Sequence, residues 1–223
     1  MRRLYHLPFD PASRKVRLFL NEKKLDYTSV EEAIWERRET FLALNPAGDV
    51  PVLVEPEGNP LWDDSVICEY IEETYPDHPT LLGYTPIDRA EVRRLVAWFD
   101  KKFAQEVSVN LVGEKIKKRF LSNQTPNSSA IRAGKQNIHY HLDYISYLCE
   151  QRNWLAGDNL SLADITCAAH ISLIDYLGDI PWAEHQGAYN WYARFKSRPS
   201  MRELLGEVFA GIAPSAHYSN LDF

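Results

Sequence analysis

The stretch Asn45-Pro46-Ala47-Gly48-Asp49-Val50-Pro51-Val52-Leu53 decides how this 223-residue chain folds. The residue before a proline is disfavoured in a helix, so the helix predicted over residues 34–44 must end before Pro46. The first four residues of the stretch predict a turn. The β-branched run at residues 50–54 predicts a strand directly after it. The stretch therefore marks a passage from helix to strand.

Short strand and helix patterns alternate on both sides of this stretch. The upstream strand–helix–strand order predicts a βαβ unit with two parallel strands. Crossovers of this kind are nearly always right-handed. Downstream, residues 57–60 predict a hairpin turn and hence an antiparallel pair. The predicted elements are strands over 3–7, 27–30, 50–54 and from Leu61 onward, and helices over 12–24, 34–44 and 64–75. Residues 1–80 are thus expected to form an α/β domain with a mixed four-stranded sheet.

The pattern becomes all-helical from about residue 86. Helical periodicity covers residues 88–105, 138–151 and 189–195, and a polar loop is predicted over 122–129. Ser161-Leu162-Ala163-Asp164 has the form of a capping box, which predicts the start of a central helix. We expect a helical domain over residues 86–211 and a C-terminal tail over 212–223.

Composition excludes several classes of protein. Hydrophobic residues make up 45% of the chain, which is typical of a globular protein. The net charge of -6 argues against binding to nucleic acid. Three widely spaced cysteines match no zinc site and indicate neither disulfides nor metal. No apolar run is long enough to span a bilayer and the start lacks the pattern of a signal peptide, so we expect a cytoplasmic protein without membrane insertion.

Three spaced motifs together resemble the glutathione transferase superfamily over essentially the whole chain. The stretch at 45–53 is similar to the family segment in which a cis-proline, here Pro51, presents the backbone of Val50 to glutathione. Asp64-Ser65 resembles the family's acidic residue and serine at a helix start, and the box at 161–164 matches the family's helical folding motif. The resemblance implies a thioredoxin-like N-terminal domain followed by an all-helical domain.

The resemblance also implies a glutathione pocket. Backbone N–H groups and the Ser65 hydroxyl would take the γ-glutamyl carboxylate, and Asp64 would take the ammonium group. The alternative is that Asp64-Ser65 is a plain helix cap without a ligand. The resemblance also places Val50 and Pro51 in this pocket, and Ser13 beside it at the start of the first helix.

The catalytic position departs from the family pattern. A glutathione transferase stabilises the thiolate with Tyr, Ser or Cys, but these positions fall on His6 and Asp10 in this chain. A carboxylate beside the thiol would raise the thiol pKa and oppose the reaction. Asp49 also stands where the family commonly has Lys or Gln. These departures indicate a non-catalytic protein that works without a cofactor.

Two enzymatic or regulatory alternatives stay open. Ser13 could act as thiolate stabiliser in a cytosolic transferase that conjugates glutathione to electrophiles, or it could simply cap the first helix. A regulator of the stringent-starvation type, built on the same fold and contacting RNA polymerase, is a third possibility.

The two ends of the chain carry a narrower resemblance. The segments at 4–18 and 217–223 are similar to an alphaproteobacterial family of transferase-like proteins that bind the tubulin-like division protein FtsZ. That resemblance implies a homodimer that modulates FtsZ filaments at the division site and does not work through glutathione.

The candidate partner-binding residues are mostly aromatic or apolar, because such side chains carry much of the energy of interfaces. The alternative for the tail is that it docks onto the helical domain, and Trp35 could equally belong to the core. The candidates are Trp35 on the second helix and Tyr218, Leu221, Asp222 and Phe223 in the tail.

Overall fold

The N-terminal unit, Met1–Thr80, is built on one four-stranded sheet in a computed structural model that describes residues 1–122 and 124–221. Its strands are β1 (Arg3–His6), β2 (Thr28–Glu31), β3 (Val52–Val54) and β4 (Pro60–Trp62). They lie in the order β2-β1-β3-β4. β1 pairs parallel with β2 and antiparallel with β3, and β4 is antiparallel to β3. The predicted mixed sheet is confirmed.

The α-helices of this unit are α1 (Pro11–Glu22), α2 (Glu39–Leu42) and α3 (Asp64–Thr74). All three residues of β3 are buried, and Phe41 of α2 packs with Val52 and Val54 in one core cluster. The strand at the end of the deciding stretch therefore lies in the core of the unit.

The second helix is not the continuous one predicted over residues 34–44. A 3-10 turn covers Ile34–Glu36, Arg37 takes a left-handed conformation with φ 48°, and α2 begins only at Glu39. A left-handed residue cannot continue a right-handed helix. The next residue, Arg38, donates two hydrogen bonds to the fully buried carboxylate of Glu32. The prediction was wrong because this pairing with Glu32, the residue after β2, is not part of the helical pattern.

The second unit begins at Leu81, and all the named elements of its described residues are helices. Its α-helices are α4 (Pro86–Ala97), α5 (Lys118–Leu121), α6 (Ser128–Glu150), α7 (Leu162–Tyr176), α8 (Gln186–Lys196) and α9 (Arg202–Leu205). A π-helical stretch, Trp98–Lys117, joins α4 to α5, and 3-10 turns cover Trp182–Glu184 and Pro199–Met201. All fifteen residues of α7 are buried, which makes it the central helix.

Two helices of this unit are longer than predicted. The first runs past residue 105 to Leu121, and α6 begins at Ser128, ten residues before the predicted start. The first part of α6 is mostly exposed, so it lacks the apolar stripe that identifies a helix in the sequence. Gly134 is the exception, since it is buried. It packs so close to Leu111 that a Cβ there would lie 2.9 Å from the Leu111 side chain.

Asp164 organises the core of the helical unit. The predicted capping box is confirmed: the Asp164 carboxylate accepts from the backbone N–H and the hydroxyl of Ser161, each at 3.0 Å. Its other oxygen accepts from Leu155 N–H and from the indole N–H of Trp191, each at 2.9 Å. Burial raises the pKa of this carboxyl, and the four hydrogen bonds act against that shift. Asp164 thus joins α7 to α8 and to the preceding loop.

We expect Asp164→Ala to lower the free energy of unfolding by about 3 kcal/mol or more, because it removes a helix cap and leaves buried donors without an acceptor. Urea unfolding followed by circular dichroism measures this cost. Asp88→Ala is the matched control, since Asp88 closes the same kind of capping box with Thr85 at an exposed helix start. The control should cost about 1 kcal/mol. Equal costs would contradict the central role of Asp164.

Candidate functional site

A cavity of about 230 Å³ lies in the N-terminal unit, beside the start of α3. Its lining is apolar and acidic: it contains three carboxylate side chains and, among these described lining residues, no lysine or arginine. The cavity is lined by Ala12, Asn45, Ala47, Asp49, Val50, Pro51, Trp62, Asp63 and Asp64. This is the place where the sequence predicts a glutathione pocket.

The loop that leads into β3 shapes one wall. The Val50–Pro51 peptide bond is cis, as the resemblance predicted. The Asn45 side chain holds the loop by donating to the Asp49 carbonyl at 2.8 Å and accepting from Ala47 N–H at 3.0 Å. Val50 and Pro51 both line the cavity.

The start of α3 differs from the sequence interpretation. Asp63, not Asp64, is the capping residue: its Oδ1 accepts from the backbone N–H groups of Ser65 at 3.0 Å and Val66 at 3.1 Å. These are the donors that the resemblance reserves for the γ-glutamyl carboxylate of a ligand. A carboxylate from the chain itself already occupies them.

Lys15 holds the other charged position of the predicted pocket. Its ammonium group lies 2.6 Å from Asp64 Oδ2 and 3.2 Å from the Ser65 hydroxyl oxygen. The Lys15 side chain is 1% exposed and the Asp64 side chain 18%. Sequence reasoning missed this residue because a lysine on an amphipathic helix is expected to face water. The available signal was the basic run at 14–17, which lies on the buried part of α1.

The residues considered for catalysis do not line the cavity. The Asp10 carboxylate caps α1 by accepting from Ser13 N–H at 2.9 Å, so the interpretation of Ser13 as the cap was wrong. The Ser13 hydroxyl is buried and accepts from Leu7 N–H at 3.2 Å. His6 is buried, with its Nε2 at 2.5 Å from the Ser29 hydroxyl oxygen.

The partner-binding candidates divide into exposed and buried side chains. Trp35 is 44% exposed and Leu221 47% exposed, so both are accessible within the described chain. Tyr218 is fully buried in the helical unit, and the prediction that it contacts a partner directly is corrected accordingly. Asp222 and Phe223 lie outside the described residues.

The described part of the chain, residues 1–122 and 124–221, contains three free cysteines, none of them exposed. Cys68 and Cys167 are buried, and burial raises the pKa of the half-buried Cys149 thiol to about 11. Within this part no cluster of three or more histidine, cysteine or acidic residues has the arrangement of a metal site. No helix described there combines the length and apolar character needed to cross a membrane.

Two family models match the sequence. One describes the N-terminal domain of glutathione S-transferase and matches residues 11–74, and the other describes the C-terminal domain and matches residues 109–199. The chain is also 47% identical, over 225 aligned positions, to "FtsZ-localized protein A" of Caulobacter vibrioides (strain NA1000 / CB15N). That alignment covers 100% of this chain and 98% of the relative.

Solved structures of similar proteins cover the chain from end to end. A glutathione S-transferase from Rhodospirillum rubrum F11 is 58% identical, with a TM-score of 0.96 and coverage of 100% of both chains. FzlA from C. crescentus is 47% identical, with a TM-score of 0.95 and coverage of 100% of this chain and 99% of its own. Both similarities include the cavity and the C-terminal segment.

We expect Asp63→Ala to lower the free energy of unfolding by about 1 kcal/mol, because the N–H groups of Ser65 and Val66 lose their cap. Urea unfolding of the full chain measures the effect. Asp49→Ala is the control, since Asp49 is an exposed carboxylate on the same cavity whose side chain does not cap α3. Two substitutions of equal cost would show that Asp63 does not hold the helix start.

Proposed function

This chain belongs to the glutathione S-transferase family, and from that premise we propose that it is a non-catalytic, homodimeric member that binds the division protein FtsZ and modulates its filaments. The observation that carries the choice of partner is the similarity to FtsZ-localized protein A along the whole chain. The protein would act in the cytoplasm, at the division site. The pocket chemistry and the exposed candidate residues support this proposal.

The residues of the cavity do not fit glutathione. A γ-glutamyl group carries one ammonium and one carboxylate, and the resemblance assigns these to Asp64 and to Ser65 with the N–H groups at the start of α3. Lys15 already neutralises Asp64, and Asp63 already accepts from those N–H groups. A ligand would have to break a largely buried ion pair and uncap a helix, and leaving a buried charge without its partner is strongly destabilising.

Electrostatics disfavour both the ligand and its thiolate. Glutathione has two carboxylates and one ammonium group, so it is a net anion, and the cavity presents Asp49, Asp63 and Asp64 to it. The carboxylates of the ligand and those of the cavity carry the same charge, so they repel each other. Asp10 stands where the family has its thiolate stabiliser, and its carboxylate is engaged as the cap of α1. The chain therefore offers acidic groups where thiolate chemistry needs hydrogen-bond donors.

The accessible candidate residues suit a protein partner. Trp35 lies on an exposed 3-10 turn, two positions before Arg37 and three before Arg38 in sequence. Tryptophan and arginine are the residue types most enriched among interface hot spots. In the tail, Leu221 adds an exposed apolar side chain in the second unit. We assign these residues to partner binding.

The test is co-sedimentation of the purified full chain with FtsZ filaments. We expect the chain to pellet with FtsZ, and Trp35→Ala to weaken the apparent affinity by about thirtyfold, the effect of losing a 2 kcal/mol hot spot. Tyr84→Ala is the control, because Tyr84 is an aromatic residue that is 70% exposed and lies elsewhere in the chain. If the full chain stays in the supernatant, the proposed partner is wrong.

A chain that ends at Ser219 tests the tail end. It keeps the buried Tyr218 and removes Asn220, Leu221 and the two residues after them, so the helical unit should stay folded. We expect this shortened chain to lose most of its FtsZ binding while its thermal unfolding midpoint stays close to that of the full chain. Full binding by the shortened chain would remove the tail end from the proposal.

The transferase alternative is favoured by one observation, the 58% identity to the structure named as a glutathione S-transferase. Calorimetry with reduced glutathione separates the two functions. We expect no heat from the native chain, because Lys15 and Asp63 already fill the two charged positions of the pocket. Millimolar or tighter binding by the native chain, abolished by Ser65→Ala, would establish the alternative.

A further inference from the structure

The end of the chain is fastened to the C-terminal end of α7. Tyr176 donates its hydroxyl to the Ile212 carbonyl at 2.5 Å, and Ser215 N–H donates to the Tyr176 carbonyl at 2.8 Å. The Ser215 hydroxyl donates to the Asp175 carbonyl at 2.7 Å. Residues 212–221, which we call the tail segment, therefore follow a defined path over the central helix.

Tyr218 is the buried anchor of the tail segment. Its hydroxyl donates to the Leu204 carbonyl at 2.9 Å, and its ring stands edge-on to the Tyr176 ring with centroids 5.0 Å apart. Its side chain is fully buried. An aromatic ring with a satisfied hydroxyl is a stable core residue, so this part of the tail segment belongs to the helical unit.

Asp175 fixes the residue next to this anchor. It is fully buried, and its Oδ1 lies 2.9 Å from both His217 Nε2 and the indole nitrogen of Trp182. The ammonium group of Lys196 lies 3.4 Å from Asp175 Oδ2 and donates to the His217 carbonyl at 2.9 Å. A buried ion pair needs further hydrogen bonds to satisfy its groups. Here His217 supplies two of them, one from its ring and one through its carbonyl.

The exposed end of the tail segment begins directly after this anchor. Ser219 and Asn220 are exposed, and Asn220 N–H donates to the His217 carbonyl at 3.1 Å, which closes a turn. Leu221 is 47% exposed. The position from which the exposed end leaves the protein is therefore set by contacts made at residues 215–218.

We propose that Asp175 is a positioning residue for partner binding: by holding His217 it presents the exposed end of the tail segment in a preordered form. This inference rests on the proposed function for the identity of the partner, FtsZ. A preordered segment loses less conformational entropy on binding than one that must fold on its partner. Asp175 thus raises affinity without touching the partner.

Hydrogen–deuterium exchange of the full chain tests the anchor without any partner. We expect the amides of Ser215 and Tyr218 to exchange slowly in the native chain and at least tenfold faster in His217→Ala. Ser219→Ala, a change at an exposed neighbour, should leave their exchange unaltered. The His217 side chain is 35% exposed, so its removal should not unfold the unit. Native amides that exchange as fast as those of a free peptide would overturn the anchor, whether or not FtsZ binds.

Affinity for purified FtsZ then tests positioning. We expect His217→Ala to weaken binding about tenfold and Tyr84→Ala, a change at an exposed residue outside the tail segment, to weaken it less than twofold. Equal losses in both variants would overturn the role of Asp175. A slow-exchanging tail segment in a chain that does not bind FtsZ would leave the anchor intact and refute only the proposed partner.

A cross-link separates positioning from direct contact by His217. A Cβ on Gly178 would lie 3.3 Å from the Ser215 Cβ, close to the spacing that a disulfide spans. We expect His217→Ala with Gly178→Cys and Ser215→Cys to regain FtsZ affinity when oxidised and to lose it again when reduced. The substitution at Gly178, whose φ is 70°, strains the backbone in the oxidised and the reduced chain alike, so the strain cancels when their affinities are compared. Failure of the oxidised chain to recover would show that His217 contacts the partner itself.

Discussion

A carboxylate that is buried on folding needs hydrogen-bond donors or a cation in place of water. Three buried or half-buried aspartates of this chain satisfy that requirement by joining several elements of the structure. Asp164 collects four donors and joins α7 to α8 and the loop before them. Asp64 takes the ammonium group of Lys15 and so joins α1 to α3. Asp175 takes Lys196, Trp182 and His217, and it fastens the tail segment. Each aspartate fixes several elements at once because its oxygens need partners from all of them.

The same requirement changes what the family pocket can do. The cavity keeps the family's cis-proline wall, yet Lys15 and Asp63 supply from within the chain the two charges that a γ-glutamyl group would bring. The interactions that stabilise α3 therefore compete with the ligand. A fold carries a reaction only where its site supports one, and this fold can equally serve as a rigid base for a protein partner.

The tail segment shows how such a base can be used. A short apolar end binds a partner better when its path is already fixed, since the entropy of ordering it is lost during folding and not on binding. Tyr218 serves this purpose from inside the helical unit, and the residues directly after it are exposed. In the proposed function, burial of this aromatic side chain contributes to recognition without contact with the partner.

Local sequence patterns determined the hairpin of β3 and β4, the turn at 45–48 and the capping box of α7, because each depends on residues only a few positions apart. The resemblance to the transferase superfamily supplied the cis position of Pro51. The tertiary structure alone decided the break after Ile34–Glu36, the burial of Lys15 and the fixing of His217. Lys15 and Ser65 are 50 positions apart, and His217 and Asp175 are 42 apart. Whether such a charged side chain faces water or a buried partner depends on which distant element packs beside it, and no local pattern carries that information.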